Sequence, residues 1–112
     1  MRTRVINGIT VKMTFAEEMY EMTAEALYPR VRDIRRAPNS VHAFLDEGCG
    51  ARKLSRSFAV NREGEWELFA TDWRGVAAKE TGRIRKTEVE MQNLVSRAAD
   101  WFAADRQEVL SR

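Results

Sequence analysis

The sequence predicts a small α+β domain: an antiparallel sheet of two hairpins, with three to five strands, and two or three helices packed on one face, the longest at the carboxyl end. Three observations predict it. Turn residues mark strand pairs at Asn7-Gly8 and at Gly64, capping boxes open helices at Thr14 and Thr87, and the apolar period switches between two and 3.6 accordingly.

In the first hairpin Arg4-Val5-Ile6 and Ile9-Thr10-Val11 flank Asn7-Gly8. A type I′ turn needs positive φ at both central residues, and Asn and Gly reach it cheaply. The two-residue loop sets Ile6 opposite Ile9 and Arg4 opposite Val11, which places Ile6, Ile9, Val11 and Met13 on one side of the pleat.

Thr14 with Glu17 forms a capping box, so a helix begins at Phe15. Phe15, Met19, Met22 and Ala26 run along its apolar stripe, joined by Ala16, Tyr20, Thr23 and Leu27. Pro29 ends or kinks this helix near Leu27 or Tyr28. Val31 and Ile34 sustain another turn or two, a short helical extension that carries Arg30, Arg32, Arg35 and Arg36 toward solvent before Pro38. Asn39-Ser40 then caps a brief helix from Val41 to Asp46 or Glu47, with Gly48 at its left-handed end and Gly48-Cys49-Gly50 as a hinge.

Leu54 to Ala59 and Trp66 to Ala70 frame the second hairpin. A three-residue loop, Arg62-Glu63-Gly64, with Gly64 in a G1 bulge pairs Val60 with Trp66, Phe58 with Leu68 and Arg56 with Ala70, which keeps apolar residues together. Asp72-Trp73-Arg74-Gly75 is turn chemistry, and Val76 to Lys79 adds a weak edge strand. Thr87 with Glu90 opens the last helix near Glu88. Met91, Leu94, Val95, Ala98, Trp101 and Phe102 line its buried face as far as Asp105 or a turn or so beyond, with a frayed tail.

A length of 112 residues, 44% hydrophobic and 32% charged, fits a single domain over residues 1–112 that folds without metal or disulfide. No apolar run approaches the roughly 20 residues that span a bilayer, the polar start Met1-Arg2-Thr3-Arg4 leads into no signal-peptide core, and Cys49 is the only cysteine. The expectation is a cytoplasmic protein, a monomer or a C₂ dimer, with no membrane contact.

Charge is the most informative feature. Eight of the nineteen cations lie between Arg30 and Arg62 against only Asp33, Asp46 and Glu47, while the overall charge is +2. A local excess of this kind points to an anionic or acidic partner. Arg30, Arg32, Arg35, Arg36, Arg52, Lys53 and Arg56 form the expected contact set if the fold brings both stretches to one face. Trp73-Arg74 joins them, because Trp and Arg dominate interface hot spots.

Catalytic and cofactor signatures are weak. His42 and Cys49 are the only residues of their types, and they read better as a half-buried histidine and a turn cysteine than as a nucleophile with its base. One His and one Cys do not supply a zinc set, and Asp46 and Glu47 are adjacent, so no metal is expected. Gly48-Cys49-Gly50 before Arg52 and Lys53 is no phosphate-loop motif, although a backbone nest there would bind an anion. Glu63, Glu65, Glu67, Asp72 and Glu80 read as a solvated strand face, not an acid/base pair.

The expectation is a non-enzymatic binding protein without cofactor: a regulator, adaptor or inhibitor acting on a protein or nucleoprotein partner. Small, cysteine-poor domains of this kind are common among accessory proteins of phages and mobile elements, including inhibitors of host defence complexes. Direct nucleic-acid binding through the same cations is the first alternative, and a small enzyme using Cys49 the second.

Overall fold

A computed structural model describes residues 2–112; Met1, which opens the polar start, lies outside the described residues. Strands β1 (Thr3–Ile6) and β2 (Ile9–Lys12) are followed by α1 (Phe15–Leu27), β3 (Asp33–Ala37) and β4 (Ser40–Glu47). A single 3₁₀ turn at Gly50–Arg52 leads to β5 (Leu54–Asn61), β6 (Glu65–Asp72), β7 (Ala77–Arg83), α2 (Glu88–Ala103) and α3 (Arg106–Leu110). Strands β3 to β7 form one antiparallel meander in chain order, and β1–β2 is a separate two-stranded sheet.

Both helix starts are capped by their threonines. Thr14 Oγ1 accepts from the Glu17 amide at 3.2 Å and Thr87 Oγ1 from the Glu90 amide at 3.3 Å. Each satisfies an amide that would otherwise be free in the first turn. The hairpin registers follow their loops: Ile6 pairs with Ile9 across Asn7-Gly8, and Val60 pairs with Trp66 across a loop whose Gly64 has φ +84°.

Helices α1 and α2 cover one face of the meander. Val41, Ala43, Leu54, Phe58, Val60, Leu68, Ala70 and Ala78 point into a core shared with Met19, Met22, Leu27, Met91, Leu94, Trp101 and Phe102. The opposite face is open, with His42, Ser55, Ser57, Ala59, Phe69 and Thr71 half-buried and Phe44 exposed. The β1–β2 hairpin lies off this core and leaves Val5, Ile6, Ile9 and Val11 exposed on a molecule 53 Å long.

Three local expectations are corrected. The stretch Arg30 to Arg36 is not a helical extension: Asp33 to Ala37 form edge strand β3, paired with Phe44 to Ser40. Nor is Val41 to Glu47 a helix; it lies in β4, with Val41 and Ala43 buried against the helices. The last helix stops at Ala103, and Asp105 caps a distinct α3 by accepting from the Glu108 amide at 2.8 Å. In each case pairing or capping with a neighbouring segment overrode a local helical spacing.

Candidate functional site

A meander brings alternate connections to the same end of the sheet. Glu47 of β4 pairs with Leu54 of β5, which pairs with Asp72 of β6. The connection 48–53, the turn 73–76, the start of β3 and the carboxyl end of α2 therefore meet there. Arg30, Arg32, Arg52, Lys53, Arg56, Arg74 and Arg106 come with them, against Asp33, Asp46, Glu47, Asp72 and Asp105. Seven cations against five carboxylates make this end electropositive.

The turn 73–76 is held from below. The Asp72 side chain is fully buried, and its Oδ1 accepts from the amides of Arg74 at 2.9 Å and Val76 at 3.0 Å. Its Oδ2 accepts from Arg74 Nε at 2.9 Å and pairs with Arg74 Nη2 at 2.7 Å. Burial alone would raise the Asp72 pKa, but the hydrogen bonds from the Arg74 side chain and from the two amides, with the Arg74 charge, hold it below the ordinary carboxylate value. Trp73, at the top of this turn, is 56% exposed. An aromatic ring is thus presented to solvent on a backbone that has little freedom.

Arg106 fastens the neighbouring connection. Its Nη1 donates to the Arg52 carbonyl at 3.0 Å and its Nη2 to the Lys53 carbonyl at 3.0 Å and the Ala51 carbonyl at 3.3 Å, with Asp72 Oδ2 3.9 Å away. One guanidinium ties the 3₁₀ turn to α3 and to the Trp73 turn. Sequence reasoning passed over Arg106, since a lone arginine after an apolar helix carries no local mark of such a role.

Arg56 is a strut. It is 3% exposed on the helix-facing side of β5, where Nη1 donates to the carbonyls of Trp101 at 2.7 Å and Ala104 at 2.6 Å. It satisfies carbonyls left open at the carboxyl end of α2. Arg30 Nε donates to the Phe102 carbonyl nearby. Of the expected contact set, Arg56 is therefore available to a partner only through the cleft it lines with Arg30, Arg52 and Arg106.

The remaining expected residues spread along β3. Arg35 is held by Asp33 through Nε at 2.8 Å and Nη2 at 3.1 Å and lies over the Phe44 ring on the open face. Its pKa is raised by that hydrogen bond and by the Asp33 charge. Arg36 is exposed farther along the edge, opposite Val41. Arg32, Arg36, Arg52 and Lys53 are exposed and make no ion pair among the described residues. The cations 83–86 belong to the other end, where Arg83 and Lys86 donate to the carbonyls of Glu63 and Arg62.

His42 and Cys49 do not meet. β4 carries the chain about 16 Å from His42 to Glu47, and two further residues recover at most about 8 Å of it. His42 Nε2 instead lies 3.1 Å from Ser40 Oγ with its ring stacked beside Phe44. Among the described residues no three His, Cys, Asp or Glu side chains converge as a metal site, and no helix is long and apolar enough to cross a membrane. No family model, curated protein or solved structure matches the chain.

Proposed function

We propose that the protein is a non-enzymatic binding module, a regulator, adaptor or inhibitor, whose protein or nucleoprotein partner docks on the cationic end of the sheet with Trp73 as the anchor. One observation carries the reading: Trp73 is exposed on a turn pinned by a fully buried Asp72, beside Arg74. Rigid aromatic anchors flanked by arginine are what interface hot spots are made of, since little conformational entropy is lost when they bind. Arg32, Arg52 and Lys53 supply charge that no ion pair among the described residues neutralises.

The test is affinity capture from cell extract with the protein and its Trp73→Ala variant as parallel baits. A partner held by the first and lost by the second supports the reading. A partner held equally by both, with the variant folded, removes Trp73 as the anchor.

The unpaired cations also favour a second reading, direct binding to nucleic acid. It predicts affinity that falls with salt at a log–log slope of about −3 to −4 if Arg32, Arg36, Arg52 and Lys53 each reach a phosphate. A flat salt dependence, or no binding at low salt, removes it.

A further inference from the structure

Arg30, Arg52, Arg56 and Arg106 line a cleft of about 500 Å³ beneath the connection 48–53, with Glu47 and Asp105 as its only carboxylates. Four guanidiniums against two carboxylates leave two positive charges in excess, of which the carboxyl end of α2 offsets about half a charge. The cleft is therefore undersupplied with negative charge.

Its deepest donor is also undersupplied with acceptors. The Arg56 side chain is 2% exposed, and its Nε is buried without a hydrogen-bond partner. Buried donors are rarely left unmade. Burial lowers the Arg56 pKa, with the Glu47 charge opposing the shift and the Arg30 charge adding to it. Glu47 stands between the two arginines at 3.6 Å from each, beyond the roughly 3.2 Å reach of a hydrogen bond. It balances their charge without satisfying their protons.

We propose that this cleft binds a phosphoryl group as its dianion, held by Arg30, Arg52 and Arg56, with the Glu47 carboxylate turned out to solvent. A phosphate offers more acceptor oxygens than a carboxylate, and guanidinium forks match it in pairs. With Glu47 turned out, the excess on the lining is about two and a half charges once the helix end is counted, which two charges on the ligand answer better than one, so a monoester or free phosphate is selected over a singly charged diester. The source of the group rests on the docking reading above; the binding itself is a property of the isolated protein.

The experiment is calorimetric titration at pH 7.5 with inorganic phosphate, with sodium chloride at matched ionic strength as the control and dimethyl phosphate as the diester probe. Saturable phosphate binding is expected, about tenfold weaker for dimethyl phosphate and about tenfold weaker in Arg52→Ala, the loss of one charge-assisted contact. Arg52 makes no side-chain hydrogen bond or ion pair among the described residues, so this variant keeps the fold. Glu47→Gln binds phosphate more tightly. O-Phospho-L-serine and glucose 6-phosphate then separate a group carried on a polypeptide from one carried on a metabolite, by which of them exceeds inorganic phosphate. Phosphate heats no different from chloride, or binding unchanged in both variants, overturn the proposal. Partner capture that depends on Trp73 in a protein blind to phosphate overturns this inference alone, whereas phosphate binding with capture indifferent to Trp73 overturns the docking reading alone.

Discussion

Asp72 grips Arg74 twice, by the backbone amide at 2.9 Å and by the guanidinium at 2.7 Å, and Trp73 is the residue between them. The carboxylate is the device that fixes the anchor. A folded-state pKa below the ordinary value means that Asp72 contributes stability above about pH 4 and that the contribution is lost as pH falls through the lower, folded value. Asp72→Asn should lower the thermal midpoint at pH 7, and the gap from wild type should close as the pH drops below 4. Melting curves across pH 2 to 7 check this; a gap independent of pH contradicts it.

Arg56 and Arg52 should separate cleanly. Arg56→Ala strips two buried carbonyls of their donor and leaves Glu47 half-compensated, an expected loss of about 3 to 5 kcal/mol by urea denaturation. Arg52→Ala should stay within about 0.5 kcal/mol of wild type, as an exposed side chain without a partner does. Equal losses would show that Arg56 is not a strut.

Much of the frame was legible from residues alone, because the signals were local: Asn7-Gly8, Gly64 and the two Thr-x-x-Glu boxes each fix backbone geometry within four residues. The β3–β4 hairpin was not. Its turn is Pro38-Asn39, with Ala37 opposite Ser40, and neither residue has the positive φ that makes a hairpin readable. Phe44 faces the open side of β4 and breaks the polar alternation, so Val41 to Leu45 reads as a short apolar run of either kind. Two features of the cationic end escaped sequence reasoning for a related reason. Arg106 reaches it from another element, and the burial of Arg56 depends on where α2 ends.

Gly82 lies under the Trp66 indole, where a Cβ would meet ring atom Cζ2 at 2.5 Å. Gly82→Ala must displace the ring, over which Arg97 lies at 5.5 Å, at a cost of about 1 to 3 kcal/mol. Trp66→Leu in the same chain should recover part of that loss. A double-mutant cycle measures the coupling, and additive losses would mean that the two residues do not press on each other.

The β1–β2 hairpin should be the least protected structure in the chain. It is anchored at its base by the Arg2 amide on Glu18 at 2.8 Å and by Arg4 pairing with Glu17 and Glu21, while Val5 and Ile9 are exposed. A two-stranded ribbon without a covered face is marginal by itself. Amide exchange should be faster by tenfold or more, an opening cost lower by about 1.4 kcal/mol, in residues 3–12 than in β5. Ile9→Ser should leave global stability within about 0.5 kcal/mol.

The docking claim is tested most directly by the footprint that a captured partner leaves in hydrogen exchange. Slowed exchange across residues 49–53 and 73–76, absent when Trp73→Ala is used, is the predicted result. Protection confined to the opposite end of the sheet, at residues 38–39, 62–64 and 83–86, would contradict it.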